Sequence, residues 1–347
     1  MGADPGPLTA PAAPAPAARA ARRRRWTRAL RWALIAAIAI LAVVFVRRLD
    51  PARAMTVIAG ASVGWVVVGM LVNATLRVAT RVLRTRALLA ALPGDVPLRE
   101  LAHFVYGAMA LGYVVSPIAG SAARVFALQR HGVPSESVVA VQLWEKVVAG
   151  FALALFAAPM LARDLPPRVH YALLVATLLG SIGFAVALVL VAGVRRLTRD
   201  AAVPATPVRR WLFELGRSLA LLHDARTLVR VFVWSALSEL CDVAMLALAL
   251  HAVGGPVDPA ACVLAFIVVN VGSALPSTPG QLGVFEATTA WALVAAGVSD
   301  ERALAAGVLY HLIHVVPVFV FGLPSLLRIR AERREADRAA APAVSAP

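Results

Sequence analysis

Apolar runs of membrane-crossing length recur from about residue 29 to about residue 327, separated by short connections rich in arginine. A helix needs about 20 predominantly apolar residues to cross the hydrocarbon core. Runs of that kind predict spans at about residues 29–46, 54–74, 137–161, 169–194, 231–251 and 303–327. Two shorter apolar pieces, 101–115 and 260–274, end instead in stretches of proline and glycine. The polar segment 195–230 holds a predicted surface helix over 211–223.

The two short pieces break the same rule in the same way. Residues 112–134 include Ser116-Pro117-Ile118-Ala119-Gly120-Ser121-Ala122-Ala123-Arg124, and residues 272–299 include Pro276-Ser277-Thr278-Pro279-Gly280-Gln281-Leu282-Gly283-Val284-Phe285-Glu286. An unpaired backbone group in hydrocarbon costs several kcal/mol, so a broken helix persists only inside protein or beside a water-filled cavity. Paired broken segments in corresponding halves of a membrane protein point to a transport site. The expected fold is therefore an all-α polytopic membrane protein. It has about six full spans plus two broken re-entrant hairpins, or up to eight spans if both hairpin limbs cross.

Charge sets the expected sidedness. With re-entrant hairpins, the inside segments hold about 24 arginines and the outside loops about five (Arg47, Arg48, Arg53, Arg163, Arg168), as the positive-inside rule requires. Both termini then lie in the cytoplasm of a cell with this protein in its inner membrane. Arg77, Arg81, Arg84 and Arg86 fall at helical spacing and predict an amphipathic helix on the cytoplasmic membrane surface. The first run follows Arg22–Arg25 without a small-residue cleavage site, so it is expected to be retained as a span.

Composition agrees. The chain is 60% hydrophobic with mean hydropathy +0.78. Its net charge of +15 comes from arginines in connections and a single lysine, Lys146, which fits anionic headgroups rather than nucleic acid. Cys241 and Cys262 lack any metal or disulfide spacing. No nucleotide-binding or hydrolase motif is present, so no cofactor or metal is expected.

The halves resemble each other. Each reads span, span, broken hairpin, Gly-Val-(Pro/Ser), span, with Gly120 opposite Gly280 and Gly132 opposite Gly297, about 160–165 residues apart. Glu145 then falls opposite Tyr310, and Lys146 opposite His311. The first unit starts inside and the second outside, which makes an inverted repeat, the arrangement that builds alternating-access sites. The expected division is a basic tail at 1–28, a membrane domain at 29–327 with repeat halves 29–161 and 169–327, and a cytoplasmic tail at 328–347.

Ionisable groups at membrane depth are functional hypotheses by default. Those in this chain are Arg124, Glu145, Lys146, Glu239, Asp242, Glu286, His311 and His314. Each also has a plainer reading: Glu145 and Lys146 as interhelical partners, Glu239 and Asp242 as solvent-facing groups or partners of Arg230, the two histidines as packing residues, and Arg124 as a headgroup anchor. His311 and His314 lack a clear third ligand, so no metal site is expected.

The stretch Pro279-Gly280-Gln281-Leu282-Gly283-Val284-Phe285-Glu286, with Gly297-Val298-Ser299 after it, resembles the flippase-like membrane region of the lysylphosphatidylglycerol synthase family. That family typically shows Pro-x-Pro-Gly-Gly-x-Gly-x-x-Glu before Gly-Val-Ser. Pro279, Gly280, Gly283 and Glu286 match, while Gln281 replaces the second glycine. The family's Gly-Glu-x-x-Arg is kept in part as Gly120 and Arg124. Its Glu-Arg pair stands as Glu145-Lys146, and the basic residue of its last span as His311. The resemblance covers about residues 30–327. It implies a membrane lipid transporter acting on an anionic or aminoacylated phospholipid, or on a polyprenyl-phosphate-linked group. In that reading Arg124 meets phosphate, Gly120 admits it, the Pro279–Gly283 loop shapes the opposite gate, and Glu286, Glu145 and Lys146 balance charge, with His311 nearby. Bifunctional relatives carry a soluble aminoacyl-transferase domain after the membrane region, and this chain is expected not to make lysyl-lipid itself. An intramembrane transferase using Glu239 and Asp242, and an envelope-assembly scaffold, stay open as alternatives.

Overall fold

A computed structural model describes residues 50–199, 203–274 and 279–340, together with Ile40 and Val44. The predicted span at 29–46 and the tail at 1–28 therefore lie outside the described residues, those two positions apart. Every regular element described is helical: α1 Pro51–Ala59, α2 Val63–Leu89, α3 Leu98–Val114, α4 Pro117–Gln129, α5 Ser135–Ala157, α6 Pro167–Thr198, α7 Pro207–Leu221, α8 Ala225–Ala252, α9 Pro259–Ala274, α10 Val284–Ala295 and α11 Asp300–Ala340. Short 3₁₀ turns follow α5 and precede α10. Five of the described helices are long and apolar enough to cross a membrane: α2, α5 with its 3₁₀ extension, α6, α8 and α11. The chain is an all-α multi-pass membrane protein.

Three boundaries differ from those the sequence predicted, each for a local reason. The predicted second span is two helices, because Gly60 and Ala61 leave the helix and Ser62 is extended (φ −72°, ψ 102°). The chain re-enters its helix at Val63, and α2 then runs unbroken to Leu89. Residues 77–86 are thus not a separate surface helix, and Arg77 and Arg84 are buried. In α11 the helix passes the predicted boundary at 327 and continues to Ala340.

The two short apolar pieces each form a helical hairpin. After α3, Ser116 is extended and its hydroxyl accepts from the Ala119 N–H at 3.2 Å, with Pro117 in the first helical position. This cap-then-proline start opens α4 eight residues earlier than the return helix predicted at 125–130. Gly120 and Arg124 consequently sit inside a helix rather than in a loop. α4 folds back on α3 closely enough that a Cβ on Gly120 would lie 2.4 Å from the Ala108 carbonyl oxygen. α9 and α10 form the second hairpin, with Gly272 against Thr288 and the Ser273 hydroxyl donating to Gln281 Oε1 at 2.8 Å. Small residues at such crossings let backbones approach where lipid offers no hydrophobic drive between helices.

Apolar burial gathers into two cores. One joins the ends of α5 and α6 with α8, α9, α10 and α11 around Leu173, Met245, Leu264, Leu293 and Tyr310. The other joins α2, α3, α4, α5 and α7 around Leu88, Leu101, Leu128, Trp144 and Leu222. Along α8 the order is Val231, then Ser235, Ser238, Glu239 and Asp242, then Met245 and Leu246, all buried. A polar layer therefore separates the two cores. α6 packs at the periphery, with Leu179, Ile182, Val189 and Leu190 exposed, as a lipid-facing helix requires.

Candidate functional site

The polar layer lines a half-open cavity of about 540 Å³. α2 brings Arg77, Arg81 and Arg84 to it, α4 brings Gly120 and Arg124, α5 brings Glu145 and Lys146, α8 brings Glu239 and Asp242, and α11 brings Tyr310 and His314. Helical spacing explains the sets. Arg77, Arg81 and Arg84 are separated by four and three residues, and Glu239 and Asp242 by three, so each set shares one face. The lining also includes apolar Leu153, Phe266, Val269 and Phe285, together with polar Asn270, Ser273 and Gln281.

Glu145 anchors the first network. Its Oε2 accepts from Arg124 Nη1 at 2.7 Å and its Oε1 from Arg124 Nη2 at 3.0 Å, the paired geometry of guanidinium on carboxylate. The Thr85 hydroxyl donates to the same Oε1 and itself receives Arg124 Nη2 at 3.2 Å. Arg84 stands farther off, with Nη2 at 3.9 Å from Oε2. The network ties α4 to α5 and α2.

Asp242 anchors the second. Arg77 Nε lies 2.7 Å from Oδ1 and Arg81 Nη2 lies 3.8 Å from Oδ2. The Arg77 contact is an ion pair without an aligned N–H, since that Nε has no hydrogen-bond acceptor. Arg77 Nη1 donates to Asn73 Oδ1 at 3.0 Å, and Asn73 Nδ2 donates to the Ile313 and His314 carbonyls at 2.8 and 3.0 Å. Both carbonyls lie in α11, and Asn73–Arg77 is a π-helical turn of α2; such turns often mark functional positions. His314 closes the set. Its Nδ1 is 2.9 Å from the Tyr310 carbonyl and its Nε2 is 2.8 Å from Asp242 Oδ1. Both partners are acceptor atoms, so a neutral ring donates to one of them and the tautomer decides which.

A third cluster borders the cavity. Gly283 N–H donates to Glu286 Oε2 at 2.8 Å at the start of α10. Glu286 Oε1 lies 2.7 Å from His311 Nδ1, and Phe285 stacks on His311 with ring centroids 4.5 Å apart. Gly280 and Gly283 hold φ of 72° and 82°, and Gln281 between them 59°. That run of left-handed backbone suits the two glycines and strains Gln281.

Of the residues singled out from sequence, Gly120, Arg124, Glu145 and Lys146 line the cavity. Gly283, Glu286 and His311 form the bordering cluster, with Pro279 and Gly280 in the turn leading to it, and none of these five lines the cavity. Asp242 is engaged by Arg77 and His314 rather than by Arg230. Sequence reasoning left out Arg77, Arg81 and Arg84 as cavity residues, along with Thr85, Asn73 and Tyr113. The signal was available: three carboxylates at membrane depth call for buried cations, and an i, i+4, i+7 arginine face supplies them.

A bundle of long apolar helices, two short-helix hairpins and a charged cavity define a multi-pass membrane protein. Residues 30–322 match the lysylphosphatidylglycerol synthase TM region, and the chain belongs to that family. No curated protein matches the chain.

Proposed function

We propose that this protein moves a lipid, or a lipid-linked polar group, between the leaflets of the cell's inner membrane, with its tails in the cytoplasm. The observation that carries the reading is the cavity. A space of about 540 Å³ lined by five basic and three acidic side chains lies between apolar cores of a membrane protein, where such groups are expensive to keep. A polar headgroup crossing the hydrocarbon needs such a passage. The two hairpins, read as re-entrant elements of an inverted repeat, would open it alternately to each side. The Arg124–Glu145 pair fastens the first hairpin, and the Gly283–Glu286–His311 cluster fastens the second. An intramembrane transferase using Glu239 and Asp242 has one of its two carboxylates, Asp242, already held by Arg77 and His314.

Leaflet exchange of fluorescent phospholipids in proteoliposomes tests this, using wild type, Arg124→Ala and Glu286→Ala. Exchange in wild type that falls at least tenfold in both variants is the expected result. A folded wild-type protein that exchanges no lipid from a panel covering the membrane's phospholipids and a polyprenyl phosphate would sink the reading.

A further inference from the structure

Pairing off the charges in the cavity leaves a remainder. Arg124 and Glu145 neutralise each other through two hydrogen bonds, and Arg77 and Asp242 do so at 2.7 Å. Arg81, Arg84, Lys146 and Glu239 are left. Arg81 reaches Asp242 only at 3.8 Å and Arg84 reaches Glu145 only at 3.9 Å. The Nε atoms of both arginines are buried with no acceptor, and Arg84 is 9% exposed. Lys146 has no ion pair or hydrogen bond among the described residues, and it is exposed toward the cavity. Glu239 is buried and equally without a partner there.

The remainder is three cations against one carboxylate, a surplus of two positive charges. Buried charges are ordinarily paired, and unsatisfied donors cost most when nothing fills them. A phosphodiester brings one negative charge. A phosphate monoester brings nearly two at neutral pH and three acceptor oxygens, enough for two guanidinium groups and an ammonium.

From this remainder we infer that the cavity is a site for a phosphate monoester dianion, held by Arg81, Arg84 and Lys146. This rests on the transport reading for its purpose but not for its existence. Arg124 is then a positioning residue: its guanidinium is spent on Glu145, and it keeps that carboxylate from taking Arg84 out of the site. The apolar side chains of the lining, Leu153, Phe266 and Val269, accept the first carbons of a chain attached to the phosphate. Two sources share the chemistry, a lipid phosphomonoester and free phosphate.

Binding to the full-length protein in detergent decides it, with dioctanoyl phosphatidic acid, dioctanoyl phosphatidylglycerol and inorganic phosphate as probes. The expected result is at least tenfold tighter binding of phosphatidic acid than of phosphatidylglycerol, falling at least tenfold in Lys146→Gln and Arg84→Gln. Lys146 makes no hydrogen bond or ion pair among the described residues, so its substitution leaves the fold intact if Arg84→Gln does not. Inorganic phosphate binding as tightly as phosphatidic acid, and lost in the same variants, keeps the dianion site and assigns it to the free ion. Equal binding of the monoester and the diester overturns the inference, as does unchanged phosphatidic acid binding in Lys146→Gln. Leaflet exchange separates the two readings. Phosphatidic acid bound as expected with no lipid of the panel exchanged removes transport and keeps the site, while lipid exchange without tighter binding of the monoester removes the site and keeps transport.

Discussion

Arg124 on α4 and Glu145 on α5 share two hydrogen bonds of 2.7 and 3.0 Å inside the protein, and Thr85 on α2 touches both. Removing one partner of a buried pair leaves an uncompensated charge and costs about 3–5 kcal/mol, while removing both costs less. Arg124→Met and Glu145→Gln should each lower stability by that order, and the double variant should recover part of the loss. A double-mutant cycle on unfolding in detergent measures it. Additive losses would mean the two side chains do not depend on each other.

Asn73 links the π-helical turn of α2 to α11 through the Ile313 and His314 carbonyls and accepts from Arg77. Asn73→Ala leaves two buried carbonyls and one guanidinium N–H without their partner, at about 1–3 kcal/mol for unsatisfied groups. Asn73→Asp keeps the acceptor for Arg77 and loses the donor, so it should not restore stability. The same unfolding measurement checks both, and an alanine variant as stable as wild type would remove Asn73 as the link.

Much of the fold was legible because hydrophobic length is a strong signal. Four of the six predicted spans reappear within long helices, the second is split between α1 and the first half of α2, and the first, at 29–46, lies outside the described residues apart from Ile40 and Val44. Ser116-Pro117 and Gly283 mark real breaks. The charged wall of the cavity was the hard part. Arg77, Arg81 and Arg84 look like membrane-surface arginines in a one-dimensional count, and only the continuity of α2 turns them inward. Pairings such as Arg77 with Asp242, 165 residues on, leave no trace in local spacing.

Gly120 and Gly183 offer a matched contrast within helices. A Cβ on Gly120 would lie 2.4 Å from the Ala108 carbonyl oxygen, whereas one on Gly183 meets nothing within 4 Å. Gly120→Ala should cost about 1–3 kcal/mol through overpacking and push α4 from α3. Gly183→Ala should be neutral or stabilise by up to about 1 kcal/mol, because alanine is the better helix former. Thermal unfolding of the two variants side by side is the check, and equal midpoints would contradict the close hairpin packing.

Glu286 serves two neighbours at once, accepting from Gly283 N–H with one oxygen and meeting His311 Nδ1 with the other. Losing the first contact removes the acceptor at the start of α10, worth about 0.5–2 kcal/mol for a helix cap. Losing the second leaves His311 with no partner on either nitrogen, since its Nε2 already lacks one. Glu286→Ala should therefore destabilise the protein by more than a cap alone, by about 2–4 kcal/mol with the unsatisfied imidazole included. Glu286→Gln keeps an amide oxygen for Gly283 or for His311, and should fall between wild type and alanine. His311→Phe removes the orphaned imidazole and stacks equally well on Phe285, so in the Glu286→Ala background it should win stability back. Unfolding free energies of wild type and the three variants test the order, and a His311→Phe change that further destabilises Glu286→Ala would show that the histidine has another partner.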